Sequence, residues 1–120
     1  MNAENFIILM LTHLVSDYFF QPSYWGCTKI KNWKTRLLHS MQYALIFLPI
    51  LYVLNINFLW LIYLCITHFI IDSYIPVHLW NKHVKNAIKR KQLAENEPPR
   101  SVVIGQDQIL HLLLLIPIVI

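Results

Sequence analysis

Long apolar runs alternate with polar segments along this chain, and the runs predict four helices. They cover residues 6–20, 37–54, 58–77 and 102–120. Each has about 15–20 residues, close to the ~20 that a helix needs to cross a hydrocarbon layer of ~30 Å. The first run ends at Gln21 and Pro22, where proline cannot continue a helix. We therefore predict an all-α integral membrane bundle of about four transmembrane helices, forming a single domain over residues 1–120.

The composition agrees with burial in a bilayer. The chain is 57% hydrophobic and 13% charged, whereas a soluble domain carries about 25% charged residues. A soluble helical bundle would also need a polar face on every helix, and the stretch from Leu112 to Ile120 has none. We find no Gly-rich phosphate loop and expect no specific binding of nucleic acid. Two cysteines do not make a disulfide framework, so we expect Cys27 and Cys65 to be reduced.

Charge predicts the orientation of the helices. The basic residues all lie in two loops, residues 21–36 and 78–101: Lys29, Lys31, Lys34 and Arg36 in the first, and Lys82, Lys85, Lys89, Arg90, Lys91 and Arg100 in the second. Cytoplasmic loops carry an excess of Lys and Arg. We therefore expect a multi-pass protein of the cell (inner) membrane, with both loops in the cytoplasm and both termini outside.

The second loop also has helical periodicity. Trp80, Val84 and Ile88 recur at helical spacing among basic residues, which is typical of an amphipathic helix on the inner leaflet. Such a helix would recruit an anionic lipid or a phosphorylated substrate. The alternative is that its charges only fix the topology. We expect His78 and His83, which belong to this segment, to be solvated.

Ionisable residues within the apolar runs are the candidate functional groups, because such residues are costly in a membrane. Seven of them are candidate metal ligands: His13, Asp17, His39, His68, Asp72, Asp107 and His111. Three helices carry a His and an Asp four residues apart, a spacing that places both on one face. In the predicted orientation the Asp lies nearer the cytoplasm in all three pairs. The seven residues should therefore share one depth in the inner half of the bundle.

Mixed imidazole and carboxylate ligands suit divalent transition metals such as Zn²⁺, Mn²⁺ or Fe²⁺. Seven groups exceed one tetrahedral site and would nearly fill two sites, the usual arrangement for phosphoester hydrolysis. We assign Asp17, Asp72 and Asp107 as catalytic carboxylates, with Gln21 and Gln108 supporting the ligands or binding substrate. Two alternatives remain open: interhelical hydrogen bonds without further function, and a pathway for protons or ions.

The same residues resemble the small bacterial and phage membrane proteins of domain-of-unknown-function family 3307. The resemblance begins with His13-Leu-Val-Ser-Asp17-Tyr-Phe-Phe-Gln21, followed by Trp25 and Lys29. It continues with three later segments: Leu37-Leu38-His39 with Tyr43, then His68-Phe-Ile-Ile-Asp72, then Asp107-Gln108-Ile-Leu-His111. The chain departs from the family after Asp72, where a Lys is often found about three positions on and Ile75 stands here. A looser similarity to membrane-bound metal-dependent hydrolases is an analogy.

These observations lead to two expected functions. The first is an intramembrane metal-dependent hydrolase that acts from the cytoplasmic side on a phosphoester or lipid-linked substrate, with a metal-activated water as nucleophile. The second is an oligomeric ion or proton channel, transporter or membrane effector that uses the same His and Asp residues. The bilayer is the expected partner in both cases, and a homo-oligomer is compatible with either.

Overall fold

The computed structural model describes residues 2–22, 25, 28–85 and 100–120, and every regular element in these residues is a helix. The prediction of an all-α protein is therefore confirmed. Two elements, π1 and π2, are short π-helical segments that directly follow α-helices. The elements in chain order are α1 (Ala3–Leu14), π1 (Val15–Phe19), α2 (Trp33–Val53), α3 (Leu59–Ile71), α4 (Ile75–Trp80), π2 (Asn81–Lys85), α5 (Arg100–Leu113) and α6 (Ile116–Val119).

Two helical stretches of the described residues are long and apolar enough to cross a membrane by themselves. They are α2, with 21 residues, and Arg100–Val119, with 20 residues, which joins α5 to α6. A third span is formed if α3 and the following helix, which meet at an angle of 54°, are counted together. The helix α1 has only 12 residues before it passes into π1. The structure thus supports two to three spans by length and composition.

The predicted third helix, residues 58–77, is broken rather than continuous. Asp72 is the C-cap of α3, and Tyr74 has a left-handed backbone with φ of 61°. A left-handed residue commonly ends a helix. Pro76 then lies in the first turn of α4, where a backbone N–H would have no hydrogen-bond acceptor within the helix, so proline is tolerated there. The predicted amphipathic helix is seen in part, as α4 and π2, while Ile88 lies outside the described residues.

The predicted loop over residues 21–36 is shorter in the structure, because α2 begins at Trp33. The side chain of Asn32 accepts hydrogen bonds from the backbone N–H groups of Lys34 and Thr35, at 3.0 and 3.4 Å. An Asn at this position satisfies N–H groups that have no partner within the helix, which stabilises the helix start. Helix α2 therefore extends one turn beyond its apolar run.

The apolar core fills one end of the bundle. It consists of side chains from α1, α2, α3 and the final turns of the chain: Leu9, Tyr43, Phe47, Leu51, Leu64, Leu115, Ile118 and Val119. The backbone N–H of Asn2 donates to the carbonyl oxygen of Val119 at 3.2 Å, which holds the start of α1 against α6. Next to this core, toward the basic loops, the buried side chains become polar.

Candidate metal centre

The seven predicted ligands lie together in the folded chain and none is more than 3% exposed. They come from α1, π1, α2, α3 with its C-cap, and α5: His13, Asp17, His39, His68, Asp72, Asp107 and His111. The π1 segment contains Asp17, and single π turns within helices occur frequently at functional sites. The three pairs of His and Asp at a spacing of four residues thus meet one another and the unpaired His39 of α2.

One group of four atoms surrounds a common point. The Nε2 atoms of His39 and His68 are 2.9 Å apart. His39 Nε2 lies 3.0 Å from Asp17 Oδ1 and 3.4 Å from Asp72 Oδ2. His68 Nε2 lies 3.8 Å from Asp17 Oδ1 and 3.1 Å from Asp72 Oδ2. Two imidazole nitrogens and two carboxylate oxygens therefore converge, and all four residues can offer an atom to one ion.

A second group shares Asp72 with the first. His111 Nε2 lies 3.5 Å from Asp72 Oδ1, the oxygen that does not face His39 and His68. His111 Nδ1 donates to the backbone carbonyl of Asp107 at 2.9 Å, so Nε2 is the nitrogen that faces Asp72. Asp72, Asp107 and His111 form a second set of neighbouring ligand atoms. Asp72 therefore presents one oxygen to each group.

Asp72 is the most unusual residue of the cluster. Its side chain is fully buried, and neither oxygen makes a well-aligned hydrogen bond with the described residues, although four cationic or imidazole groups lie within 3.5 Å: Lys29, His39, His68 and His111. A buried carboxylate normally pairs with other groups or coordinates a metal ion. Asp72 is also at the C-terminal end of α3, where the helix dipole favours positive charge. The position therefore favours a cation.

A hydrogen-bonded network holds His13 and Asp17 in place. Gln108 Nε2 donates to Asp17 Oδ2 at 2.9 Å, so Gln108 Oε1 accepts from His13 Nε2 at 2.8 Å. In the neutral ring, His13 Nδ1 then accepts from the hydroxyl of Tyr43 at 3.0 Å. Both nitrogens of His13 make hydrogen bonds in the structure, and His13 also belongs to a third set of neighbouring ligand atoms, with Asp17 and His111.

Two further residues of α2 orient the other imidazoles. Gln42 Oε1 accepts from His39 Nδ1 at 3.2 Å, which directs Nε2 of His39 into the cluster. The Tyr43 ring stacks on the His68 ring with centroids 3.8 Å apart and planes inclined by 11°. Such outer groups fix the orientation of a histidine ligand. His68 Nδ1, in contrast, is buried without a hydrogen-bond partner among the described residues.

Lys29 supplies the positive charge of the cluster. Its Nζ lies 3.0 Å from Asp72 Oδ2 and 3.6 Å from Asp17 Oδ1, and the side chain is almost fully buried. Burial alone would lower the pKa of Lys29, but the carboxylates of Asp72 and Asp17 outweigh this effect and raise it above its usual value. Lys29 is therefore an ammonium ion at neutral pH. Arg36 anchors the segment, donating to the carbonyl oxygens of Lys29 and Ile30 at 3.2 and 3.1 Å.

The structure therefore extends the set of residues identified from the sequence. Gln108 links two predicted ligands through hydrogen bonds, whereas Gln21 makes no hydrogen bond to the described cluster and its Oε1 is buried without a partner among the described residues. Lys29 and Tyr43 were not assigned a role. Tyr43 follows His39 by four residues, the spacing of the His and Asp pairs, and this signal would have placed it on the same face.

Comparison with known proteins identifies the chain at the level of its family. The family described as "Protein of unknown function (DUF3307)" matches residues 5–120, so the chain belongs to this family. The match spans all seven candidate ligands and Lys29. No curated protein and no solved structure matches the chain. The similarity to metal-dependent hydrolases stays a prediction.

Proposed function

We propose that this DUF3307 protein is a membrane enzyme that binds divalent transition-metal ions in the His and Asp cluster and hydrolyses a phosphoester bond of an anionic substrate. The observation that carries this proposal is Asp72. It is fully buried, is paired with the ammonium group of Lys29, and directs its two oxygens at two different groups of ligand atoms. Such an arrangement suits a carboxylate that bridges two ions.

The distances in the first group fit a tetrahedral ion. Among the atoms contributed by Asp17, His39, His68 and Asp72, the five known separations range from 2.9 to 3.8 Å. Ligand atoms about 2.0–2.1 Å from a zinc ion form a tetrahedron with edges of about 3.3–3.4 Å. His39 Nε2 lies within 3.4 Å of two carboxylate oxygens and of the Nε2 atom of His68. The donor set and its spacing therefore support a metal ion better than a purely structural cluster.

The second group would hold a further ion through Asp72 Oδ1, His111 Nε2 and Asp107. Ions in a two-metal site activate water for attack and neutralise the charge on the attacking and leaving oxygens. Asp107 Oδ1 is buried and accepts no hydrogen bond from a described residue, so it can accept a proton from the attacking water. The ammonium group of Lys29 would bind an anionic oxygen of the substrate.

The proposed orientation follows from the distribution of charge. We place four spans in the membrane by including the helical residues 3–19, so that Lys29 and the polar cluster face the cytoplasm and the apolar core faces outward. In a background with both native cysteines replaced by Ser, Lys82→Cys should resist an impermeant thiol reagent in intact cells while Asn55→Cys reacts. The reverse labelling pattern would place the site on the outer face.

A proton pathway is the second candidate, because the imidazoles form a connected series. Ring centroids are 5.1 Å apart for His13 and His111, 4.5 Å for His111 and His68, and 4.8 Å for His68 and His39. The series does not continue outward, since the apolar core that includes Phe47 and Leu51 lies beyond it. This interruption within the described residues favours the enzyme over the pathway.

The test is the metal content of the full chain, purified in mild detergent and measured by elemental analysis. We expect about two equivalents of transition metal per chain, most of it lost in Asp72→Asn. His83→Ala is the control, because His83 is exposed and outside the cluster. Hydrolysis of p-nitrophenyl phosphate should require the metal and disappear in Asp72→Asn.

Three results would count against the proposal. Metal-free wild-type protein that folds and conducts protons in liposomes would favour the pathway. Equal metal content in wild type and Asp72→Asn would show that Asp72 is not a ligand. Metal binding without hydrolysis of any phosphoester would restrict the proposal to a metal-binding protein and refute the enzyme.

A further inference from the structure

An apolar groove lies beside the metal centre, between α4 and α5. Val77 and Trp80 line one wall, and Ile109, Leu110 and Leu113 line the other. Its volume is about 400 Å³, within the range of about 300–1,000 Å³ that small-molecule sites have. Trp80, Ile109 and Leu113 are each more than half exposed, so the groove opens on the side of the bundle that would face lipid.

The break after α3 creates the groove. Because the chain turns by 54° around Asp72 and Tyr74, α4 does not continue along the axis of α3. The start of π2 then returns to α5, where the side-chain amides of Asn81 and Gln106 exchange two hydrogen bonds of 2.8 and 3.0 Å. This amide pair closes one end of the groove with polar groups.

Positive charge lies at the same polar end. Lys82 directly follows Asn81 and is exposed. Arg100, also exposed, precedes Gln106 by six residues on α5, about 9 Å along the helix axis. The groove thus has apolar walls and a polar end, and the exposed basic residues Lys82 and Arg100 lie beyond that end along the chain. This distribution matches a hydrocarbon chain attached to an anionic headgroup.

The groove and the metal centre share α5. Gln106 and Leu110 line the groove, and the residues that follow each of them, Asp107 and His111, belong to the cluster. Consecutive residues of a helix are rotated by about 100°, so groove and cluster occupy adjacent faces. A headgroup at the Asn81 and Gln106 end would therefore lie on the face of α5 next to the one that carries the Asp107 carboxylate.

We propose that this groove binds the hydrocarbon chain of an anionic lipid and directs the lipid headgroup to the metal centre. The assignment of that lipid as the substrate rests on the function proposed above, whereas its binding does not. A second copy of the chain would account for apolar walls but not for their cationic end. The chain's own residues 86–99 are a poor match, because most of them are polar or charged.

The experiment compares an Ile→Trp variant inside the groove with an Ile→Trp variant outside it. Ile109→Trp adds bulk within the groove, and Ile66→Trp adds the same bulk at an equally exposed position of α3 outside it. Each full-length protein is reconstituted into vesicles containing equal amounts of phosphatidylglycerol and phosphatidylcholine, then extracted in mild detergent. Native mass spectrometry counts the lipids that remain bound, and elemental analysis of the same samples measures metal.

We expect wild type and Ile66→Trp to retain phosphatidylglycerol in preference to phosphatidylcholine. Ile109→Trp should retain about tenfold less, with its metal content unchanged. Equal lipid retention in the two variants would overturn the proposal, and so would equal retention of the two lipids by wild type. A dimer without bound lipid would assign the groove to a second copy instead. Selective lipid binding in a metal-free wild type would support the groove and refute the metal-dependent function.

Discussion

The two ends of the bundle are buried to the same degree but contain opposite chemistry. At the apolar end, Leu9, Phe47, Leu51 and Leu64 are at most 2% exposed. At the polar end, the seven His and Asp residues are at most 3% exposed. Burial favours the first set through packing, whereas it costs free energy for polar groups that lack full hydrogen bonding. Burial alone therefore does not indicate which residues stabilise the fold.

The polar end itself divides into satisfied and unsatisfied groups. His13, Gln108 and Asp17 are joined by hydrogen bonds of 2.8 and 2.9 Å. Asp72, Asp107 Oδ1 and His111 Nε2 have no hydrogen-bond partner among the described residues. Buried polar atoms of this kind occur at sites that bind an ion or carry out chemistry. The apolar end therefore contributes packing, while the unsatisfied groups are the candidates for binding the proposed ions.

The largest effect should come from exchanging a pair within the polar end. The double variant Asp107→His with His111→Asp keeps composition and charge but exchanges the positions of imidazole and carboxylate. Ligand atoms must lie within about 0.2 Å of their coordination distances, so metal affinity should fall at least about 100-fold, or about 2.7 kcal/mol.

Thermal unfolding in detergent, compared with metal titration, separates this effect from misfolding. The metal-free double variant should unfold within about 1 kcal/mol of metal-free wild type, because hydrogen bonds between membrane helices are weak. Full metal affinity in the exchanged protein would leave hydrogen bonding or proton transfer as the better account of the pairs.

A smaller effect, on stability instead of metal affinity, is expected at the apolar end. Phe47→Ala removes a fully buried ring from the core and should destabilise the protein by about 2 kcal/mol. This lies below the usual 3–5 kcal/mol because lipid is itself apolar and only the packing loss remains. The folded fraction should still bind metal with wild-type affinity.

Leu45→Ala is the matched control for the apolar end, because Leu45 lies on the same helix and is 67% exposed. Its unfolding midpoint in denaturant should equal that of wild type. If fully folded Phe47→Ala protein lost metal affinity, packing at the apolar end would have to influence the arrangement of ligands at the polar end.

The smallest effect should come from the boundary between the two ends, where Tyr43 contacts both. Tyr43→Phe removes the hydroxyl that donates to His13 Nδ1 at 3.0 Å. Loss of a group that orients ligands typically lowers metal affinity 10–100-fold. Here we expect about tenfold, because the ring remains to stack on His68 and the His13 network acts on Asp17 through Gln108.

Tyr63→Phe is the control, since its hydroxyl donates to the carbonyl of Leu114 at 3.0 Å, outside the cluster. Each variant should lose about 1 kcal/mol of stability, but only Tyr43→Phe should weaken metal binding. Metal titration of the two purified variants would contradict this account if their affinities were equal.

The helical class and the membership of the cluster follow from local patterns in the sequence. Apolar runs of helical length and His and Asp residues at a spacing of four are local features, and a helix places residues at that spacing on one face. The spacing of four identifies six of the seven buried ligand candidates, and the seventh, His39, is an ionisable residue within an apolar run. The same reasoning would have included Tyr43, which has that spacing from His39.

The contacts that those residues make with one another depend on the tertiary structure. Lys29 lies outside the regular helices, where no periodicity predicts its contact with Asp72, 43 residues away. The left-handed Tyr74 breaks the third helix, and this turn places Asp72 at a helix end and opens the groove beside α5. The hydrogen bonds to both nitrogens of His13 likewise depend on residues from α2 and α5. Helix periodicity fixes which face a side chain occupies, but the packing of distant segments fixes which atoms it touches.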